Sequence, residues 1–291
     1  MREHHTRRAL CLPGFLALTL FGCAHGPKPP AAPAQPSPPA AAAPAPQAGG
    51  TQPAPVIEQR ALDLLKQMSQ TLASAKSYTY SSRSAMEVPG KTGQYLTFFS
   101  RADVALERPD KLRARIGGDI PSFQIVYDGK QVAAYDPDKN LYATAPAPAT
   151  LDDTLKMLMD QSGVYFPSSD VMVSDPYATM TQGLQSAFVV GTSAVDGLPC
   201  EHLAFMAPGI HWEIWIETGK HPLPRRLAAT YTDAANFPRF QVEFADWNLK
   251  PRLAPGAFVF KPPAGAKRIE FASEKGAILK QLEGGGGAPQ P

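Results

Sequence analysis

Residues 95–106 read YLTFFSRADVAL, and the alternation within this stretch decides the fold class of the chain. Every second residue from Leu96 onward is apolar or small, whereas Thr97, Arg101 and Asp103 lie between them. A period of two is that of a β-strand with one buried face and one solvated face. The stretch therefore predicts an antiparallel sheet that is covered on one side.

The same period recurs before and after a central break near residue 150. Asp128-Gly129 separates two of the alternating segments and predicts a hairpin with a type I′ turn, which needs positive φ at both central residues. The segments that predict further strands are 112–116, 123–127, 132–135 and 141–145, and then 188–190, 200–206, 210–216, 227–231 and 240–244.

Two segments have helical spacing instead. Apolar residues recur from Ala61 to Leu72 at intervals of three and four, which predicts an amphipathic helix before the first strand. A second helix is predicted after Thr150, which is placed to cap it. Its apolar residues are Leu151, Leu155, Leu158 and the adaptable side chains of Met157 and Met159.

This order of elements predicts an α+β fold. The sheet is expected to be a strongly curved antiparallel sheet, an incomplete β-barrel, with helices covering the concave face. An immunoglobulin-type sandwich is the rival architecture, and it leaves the two amphipathic helices unexplained.

The N-terminus has the pattern of a bacterial lipoprotein signal. Basic residues precede an apolar segment, Ala9 to Phe21, that is too short for a permanent membrane span. Leu20-Phe21-Gly22-Cys23 resembles a lipobox, in which the cysteine is lipidated and becomes the first residue. Cleavage by ordinary signal peptidase near Ala24 is the alternative. The pattern predicts a membrane anchor at Cys23, with acyl chains such as palmitate, in the outer membrane, and a domain that faces the periplasm or the cell surface.

The composition divides the chain into four parts. Residues 1–22 are the predicted signal peptide, and residues 23–56 are the lipidated cysteine and a stalk with eleven prolines and ten alanines between Pro27 and Val56. Residues 57–266 are the predicted folded domain. Residues 267–291 are the predicted tail, partly disordered because of its glycine and proline content.

Charge and cysteine content exclude several functions. Removal of the signal takes away three arginines and one glutamate, which leaves 25 basic and 25 acidic residues. No basic surplus is then available for phosphates, so nucleic acid is not an expected partner. Cys200 is the one cysteine left after Cys11 is removed and Cys23 is lipidated, so no intrachain disulfide is expected.

The chain offers no set of residues for catalysis, and no catalytic residue, cofactor or metal is predicted. Cys200 and His202 share a strand face, but two ligands do not close a zinc site. Asp136, Asp138 and Asn140 imitate the start of a calcium loop that lacks its glycine and its glutamate. We therefore expect a protein that is not an enzyme.

Three motifs together resemble a known family. They are Glu107-Arg108-Pro109-Asp110-Lys111-Leu112, the segment from Tyr127 to Pro137, and Phe258-Val259-Phe260-Lys261-Pro262-Pro263. In this order, behind a helix, they are similar to the bacterial lipoprotein carrier and receptor (LolA/LolB-like) superfamily, and most to its branch of predicted periplasmic proteins. The resemblance implies an apolar cavity under helices, with Arg108 as a gate that contacts the lid. Because the stalk departs from that pattern, lipoprotein transport itself is not carried over.

These observations predict an envelope lipoprotein that binds a lipid or acyl chain between sheet and helices. The alternative is a protein–protein interaction or sensor module without a cavity, in which an exposed Trp215 marks the surface for an envelope protein partner. The residues predicted to line the cavity are Phe98, Ile125, Tyr127, Leu155, Leu158 and Trp212. Collapse of the same side chains into a closed core is the competing interpretation.

Overall fold

The computed structural model of the chain describes residues 56–162 and 168–271. Predictions for the signal peptide, for Cys23 and for the stalk up to residue 55 lie outside the described residues. Three helices are present in the described residues: α1 (Gln59–Ser74), α2 (Leu151–Ser162) and the short α3 (Pro176–Met180), with a 3₁₀ turn at Ser169–Val171. No helix among the described residues has the length and apolar character to cross a membrane.

Twelve strands form one sheet. They are β1 (Ser77–Pro89), β2 (Tyr95–Glu107), β3 (Lys111–Gly118), β4 (Phe123–Tyr127), β5 (Gln131–Asp136), β6 (Leu141–Pro146), β7 (Ser186–Val195), β8 (Leu198–Ala207), β9 (Ile210–Glu217), β10 (Pro224–Tyr231), β11 (Arg239–Asn248) and β12 (Lys267–Arg268). The α+β prediction is confirmed, and each alternating segment lies within a strand.

The strand order shows that the sheet consists of two meanders joined at their first and last strands. The order is β12-β6-β5-β4-β3-β2-β1-β11-β10-β9-β8-β7, so β1 pairs with both β2 and β11. All pairs among these strands are antiparallel except β12 with β6. β12 and β7 remain at the two ends of the order, so the sheet is an open half-barrel and not a closed barrel.

Bulges contribute to the curvature of the sheet. The register shifts between Thr79 and Ser81 in the β1–β11 pair, and similar shifts occur in the β9–β10 and β7–β8 pairs. An extra residue on one strand bends that strand and increases its twist. The bends make one face concave, and the helices pack against this face.

One detail of the sequence interpretation is wrong: the β4–β5 turn is not of type I′. Its central pair is Gly129-Lys130, and of these two only Gly129 has positive φ, at 91°. Glycine at the first central position is typical of type II′. Asp128 precedes this central pair and stabilises the turn. Its Oδ1 accepts hydrogen bonds from the N–H groups of Lys130 and Gln131, both at 2.9 Å.

The core lies between the helices and the concave face. α1 buries an apolar stripe as predicted, with Ala61, Leu65, Met68 and Leu72 fully buried. Thr150 caps α2 as predicted, since its Oγ1 accepts a hydrogen bond from the N–H of Asp153 at 3.2 Å. Both helices contribute to one cluster of buried side chains that also includes residues of both meanders.

Candidate functional site

A cavity of about 190 Å³ lies between the second meander and the helical segment that follows α2. Its floor comes from strands β8 to β11, and its cover comes from the 3₁₀ turn and α3. We call these two short helices the helical cover. The residues that line the cavity are Asp170, Thr179, Met180, Gln182, Ala207, Ile210, Trp212, Leu227, Ala229, Tyr231 and Phe240.

The floor of the cavity follows from strand alternation. Leu227, Ala229 and Tyr231 occupy alternate positions of β10, so all three side chains are on the concave face. Trp212 on β9 is stacked on Phe205 of β8, with ring centroids 4.0 Å apart and planes 10° from parallel. This pair of rings gives the cavity a flat and largely buried aromatic wall.

Local sequence signals place α3 over this floor. The side chain of Asp175 accepts a hydrogen bond from the N–H of Ala178 at 3.0 Å, and Pro176 stands at the start of the helix. Asp as N-cap followed by proline is a strong start signal for a helix. The hydroxyl of Ser69, buried on α1, accepts a hydrogen bond from the N–H of Tyr177 at 2.9 Å, which fixes α3 against α1.

Arg108 and Tyr78 hold the segment between the 3₁₀ turn and α3. The Arg108 guanidinium donates to the carbonyls of Met172 (3.2 Å) and Val173 (2.9 Å), and it lies 5.8 Å from the centre of the Tyr78 ring. The Tyr78 hydroxyl donates to the carbonyl of Val171 at 2.7 Å. Burial raises the pKa of Tyr78 far above its usual value, so the phenol remains a donor at neutral pH.

α2 holds the same segment from the other side. The carboxylate of Asp152 accepts hydrogen bonds from the N–H of Ser174 at 3.0 Å and from its hydroxyl at 2.6 Å. Four consecutive residues, 171–174, are therefore bound by side chains of β1, of the β2–β3 turn and of α2. The helical cover has a defined position that a limited number of side-chain hydrogen bonds maintains.

Asp170 differs from the other acidic residues of this region. Among the described residues it has no hydrogen-bond or ion-pair partner, although it lines the cavity. Burial raises the pKa of its carboxyl above the ordinary value, and no nearby charge contributes to that shift. An acid with this environment is a candidate for ligand contact.

The residues predicted to line a cavity are divided between the two meanders. Ile125, Tyr127, Leu155 and Leu158 meet in the packed core under α2, where their exposed fractions are 7% or less. Trp212 lines the cavity. Phe98 is partly exposed and lies outside the buried cluster. The first meander is thus closely packed by the very side chains that we expected around a ligand.

The opposite face of the sheet is a network of paired side chains. Trp215 is stacked on His202, with ring centroids 4.0 Å apart, and the Arg226 guanidinium lies 5.3 Å from the centre of the Trp215 ring. His202 Nε2 is 2.8 Å from Glu213, and Arg225 pairs with Glu217. The carboxylates of Glu213 and Glu217 thus contact side chains of neighbouring strands on one solvated face of the sheet. They do not face one another across a cleft.

The other chemical candidates are structural as well. Cys200 is fully buried, and burial raises the pKa of its thiol, which makes it a poor nucleophile. Asp136 closes its own turn by accepting from the N–H groups of Asp138 and Lys139. No group of three or more potential metal ligands is found within residues 56–162 and 168–271. A crevice of about 240 Å³ lies on the opposite face. Its lining has arginine and aspartate side chains in equal number, whereas the described lining of the cavity under the helical cover has one charged side chain.

A curved antiparallel sheet, open at both ends of the strand order, with helices over a small cavity, defines the class of half-barrel proteins with a covered cavity. The chain belongs to the family described as "Predicted periplasmic protein (DUF2092)", whose model matches residues 61–272. The family prediction is confirmed at this level. A search of curated proteins found no match.

Several solved structures are similar to the chain at low sequence identity. A conserved protein from Thermus thermophilus is 13% identical, with 73% of this chain and 99% of that chain covered and a TM-score of 0.42. The lipoprotein LppX from Mycobacterium tuberculosis is 12% identical, with coverages of 67% and 98% and a TM-score of 0.42. LprF from Mycobacterium bovis is 12% identical, with coverages of 73% and 100% and a TM-score of 0.39.

Proposed function

We propose that this protein is a lipid-anchored protein of the cell envelope that binds an acyl chain or another lipidic ligand without chemical conversion. The cavity of about 190 Å³ under the helical cover carries the proposal, because Met180, Trp212, Leu227 and Phe240 give its wall apolar surface beside its polar groups. Apolar walls with a few polar groups are characteristic of small-molecule sites.

The size of the cavity implies that binding moves the helical cover. Ordinary ligand pockets measure roughly 300–1,000 Å³, so 190 Å³ accommodates part of an acyl chain in the present position of the cover. Burial of ten methylene groups contributes about 8 kcal/mol before association costs. Each hydrogen bond that holds the cover contributes about 0.5–1.5 kcal/mol net. A chain of ordinary length therefore offsets the release of several of these bonds.

The alternative function, an interaction or sensor module, has less support. It requires a solid core and an exposed Trp215. The cavity argues against a solid core. The stacking of Trp215 on His202 argues against an exposed Trp215. We therefore prefer ligand binding.

A cavity-filling substitution tests the proposal. We expect Ala229→Leu to reduce co-purifying lipid at least tenfold, because Ala229 is buried in the cavity floor and a larger side chain occupies the space of the ligand. The matched control is Thr230→Leu, which adds an apolar side chain at the next position of β10, where it points to the opposite face. The measurement is lipid mass spectrometry on full chains that carry Cys23→Ser and are purified without detergent, with thermal melts to check folding.

Absence of bound lipid from the unsubstituted protein, together with no uptake of the apolar dye N-phenyl-1-naphthylamine, would count decisively against the cavity. An equal loss of lipid in both variants would attribute the effect to general disturbance of β10, and the proposed site would then be wrong.

The membrane anchor is tested separately. We expect Cys23→Ser to move the protein from the membrane fraction to the soluble fraction, because it removes the thiol that carries the acyl chains. The intact mass of the membrane-derived protein is expected to exceed that of a polypeptide beginning at Cys23 by the mass of the acyl groups. An unmodified N-terminus at Ala24 would show that the lipobox interpretation is wrong.

A further inference from the structure

Asp170 lines a cavity whose wall contains both apolar and polar side chains. It is the only carboxylate among the described residues that line the cavity, and no lysine or arginine is among them. Met180, Leu227 and Phe240 surround the same space. A charged or hydrogen-bonding group is therefore presented to any ligand that enters.

Among the described residues, Asp170 makes no hydrogen bond of the kind that its acidic neighbours make. Asp152 binds Ser174 and so positions the helical cover, and Asp175 caps α3. Asp170 has no hydrogen bond or ion pair within residues 56–162 and 168–271. Asp170 is partly buried, and partial burial of a carboxylate without a partner is unfavourable, so a donor on the ligand would satisfy it.

Tyr231 also lines the cavity and has an interaction of its own, and the polar side chains of Thr179 and Gln182 do not change this preference. The hydroxyl of Thr179 already donates to the carbonyl of Asp175 at 3.2 Å, as is common for threonine within a helix. The amide of Gln182 both donates and accepts, so it accommodates either kind of head group. Among the described lining residues Asp170 has the one charged side chain, and this charge favours a donating ligand over an anionic one.

We propose that the cavity selects apolar ligands whose polar end donates a hydrogen bond, such as a long-chain alcohol, amide or amine, and that Asp170 discriminates against free fatty acids. This inference rests on the proposed function, since it specifies the ligand class of the same cavity. A carboxylate ligand would place two acids together in an apolar space without a counter-ion, which favours neither of them.

The test compares three ligands with the same chain: dodecanol, dodecylamine and dodecanoate. Each displaces N-phenyl-1-naphthylamine from the full chain carrying Cys23→Ser, at pH 8 and below the micelle concentration. We expect dodecanol and dodecylamine to displace the dye at concentrations at least tenfold lower than dodecanoate, in line with a hydrogen bond to a charged group. Asp170→Asn is expected to reduce this preference to less than about threefold.

Asp63→Asn is the matched control, since it makes the same change on the exposed face of α1, away from the cavity. It is expected to retain the tenfold preference. If the dye binds but all three ligands displace it equally in the unsubstituted protein, or Asp170→Asn leaves the preference intact, the role of Asp170 is wrong and the cavity stands. If neither dye nor ligand binds, the proposed function itself fails.

Discussion

Arg108→Met is expected to lower the free energy of unfolding by about 2–4 kcal/mol, because it removes two charge-assisted hydrogen bonds and leaves the carbonyls of Met172 and Val173 without a donor. Methionine fills much of the space of the arginine stem, so the loss measures the hydrogen bonds more than the packing. The measurement is urea unfolding followed by tryptophan fluorescence.

Two further variants separate the possible causes. Arg108→Lys retains the charge but lacks the planar fork, so we expect most of the loss to remain. Arg101→Met, at a position with 59% side-chain exposure, removes an arginine from the strand that precedes Arg108 and is expected to change stability by less than about 0.5 kcal/mol. If Arg108→Met is no less stable than Arg101→Met, Arg108 does not hold the helical cover.

The same variant also bears on the gate that the family resemblance predicts for Arg108. Release of the segment that follows the 3₁₀ turn lowers the cost of moving the helical cover. We therefore expect faster dye exchange in Arg108→Met than in the unsubstituted protein, whereas an arginine that only stabilises the fold would leave the exchange rate unchanged.

Leu65→Ala is expected to lower the free energy of unfolding by about 2–5 kcal/mol. Leu65 is fully buried in the stripe of α1 that packs on the concave face, and truncation leaves a cavity where helices and sheet meet. The measurement is again urea unfolding. The free energies are compared only if the variant and the unsubstituted protein have the same m-value, because a changed m-value indicates that unfolding is no longer the same two-state transition.

The control for this variant is Gln67→Ala, on the exposed side of the same helix. It replaces a good helix former with a better one, so its effect is expected to be small. A loss below about 1 kcal/mol for Leu65→Ala would contradict the placement of α1 in the core, because fully buried leucines rarely cost so little.

Strand positions could be predicted from the sequence because alternation is a local property. The segment 210–216 alternates apolar and polar residues, and the structure places Trp212 inward and Trp215 outward as this pattern requires. α3 was not predicted, although Asp175-Pro176 is a legible start signal. Five residues are too few for a helical period to become visible.

The location of the cavity could not be predicted, for a different reason. Leu155 and Leu227 have the same inward-facing character in the sequence, yet one is in packed core and the other lines a cavity. The difference depends on how far each helix lies from the strands opposite it, which long-range contacts decide. Asp170 was not predicted as a site residue. Its lack of a hydrogen-bond partner among the described residues is visible only once the partners of Asp152 and Asp175 are known.

The join between the two meanders has a consequence for how the chain reaches its native state. Within each meander, strands that are adjacent in sequence pair as hairpins, and such local contacts form quickly. The β1–β11 pair instead brings Arg83 opposite Glu243, from the two ends of the domain. During synthesis the early strands emerge long before their last partner. Until β11 is available, the backbone N–H and C=O groups along one edge of β1 have no partner. This edge can then pair with another chain, so it must be protected from aggregation during that interval.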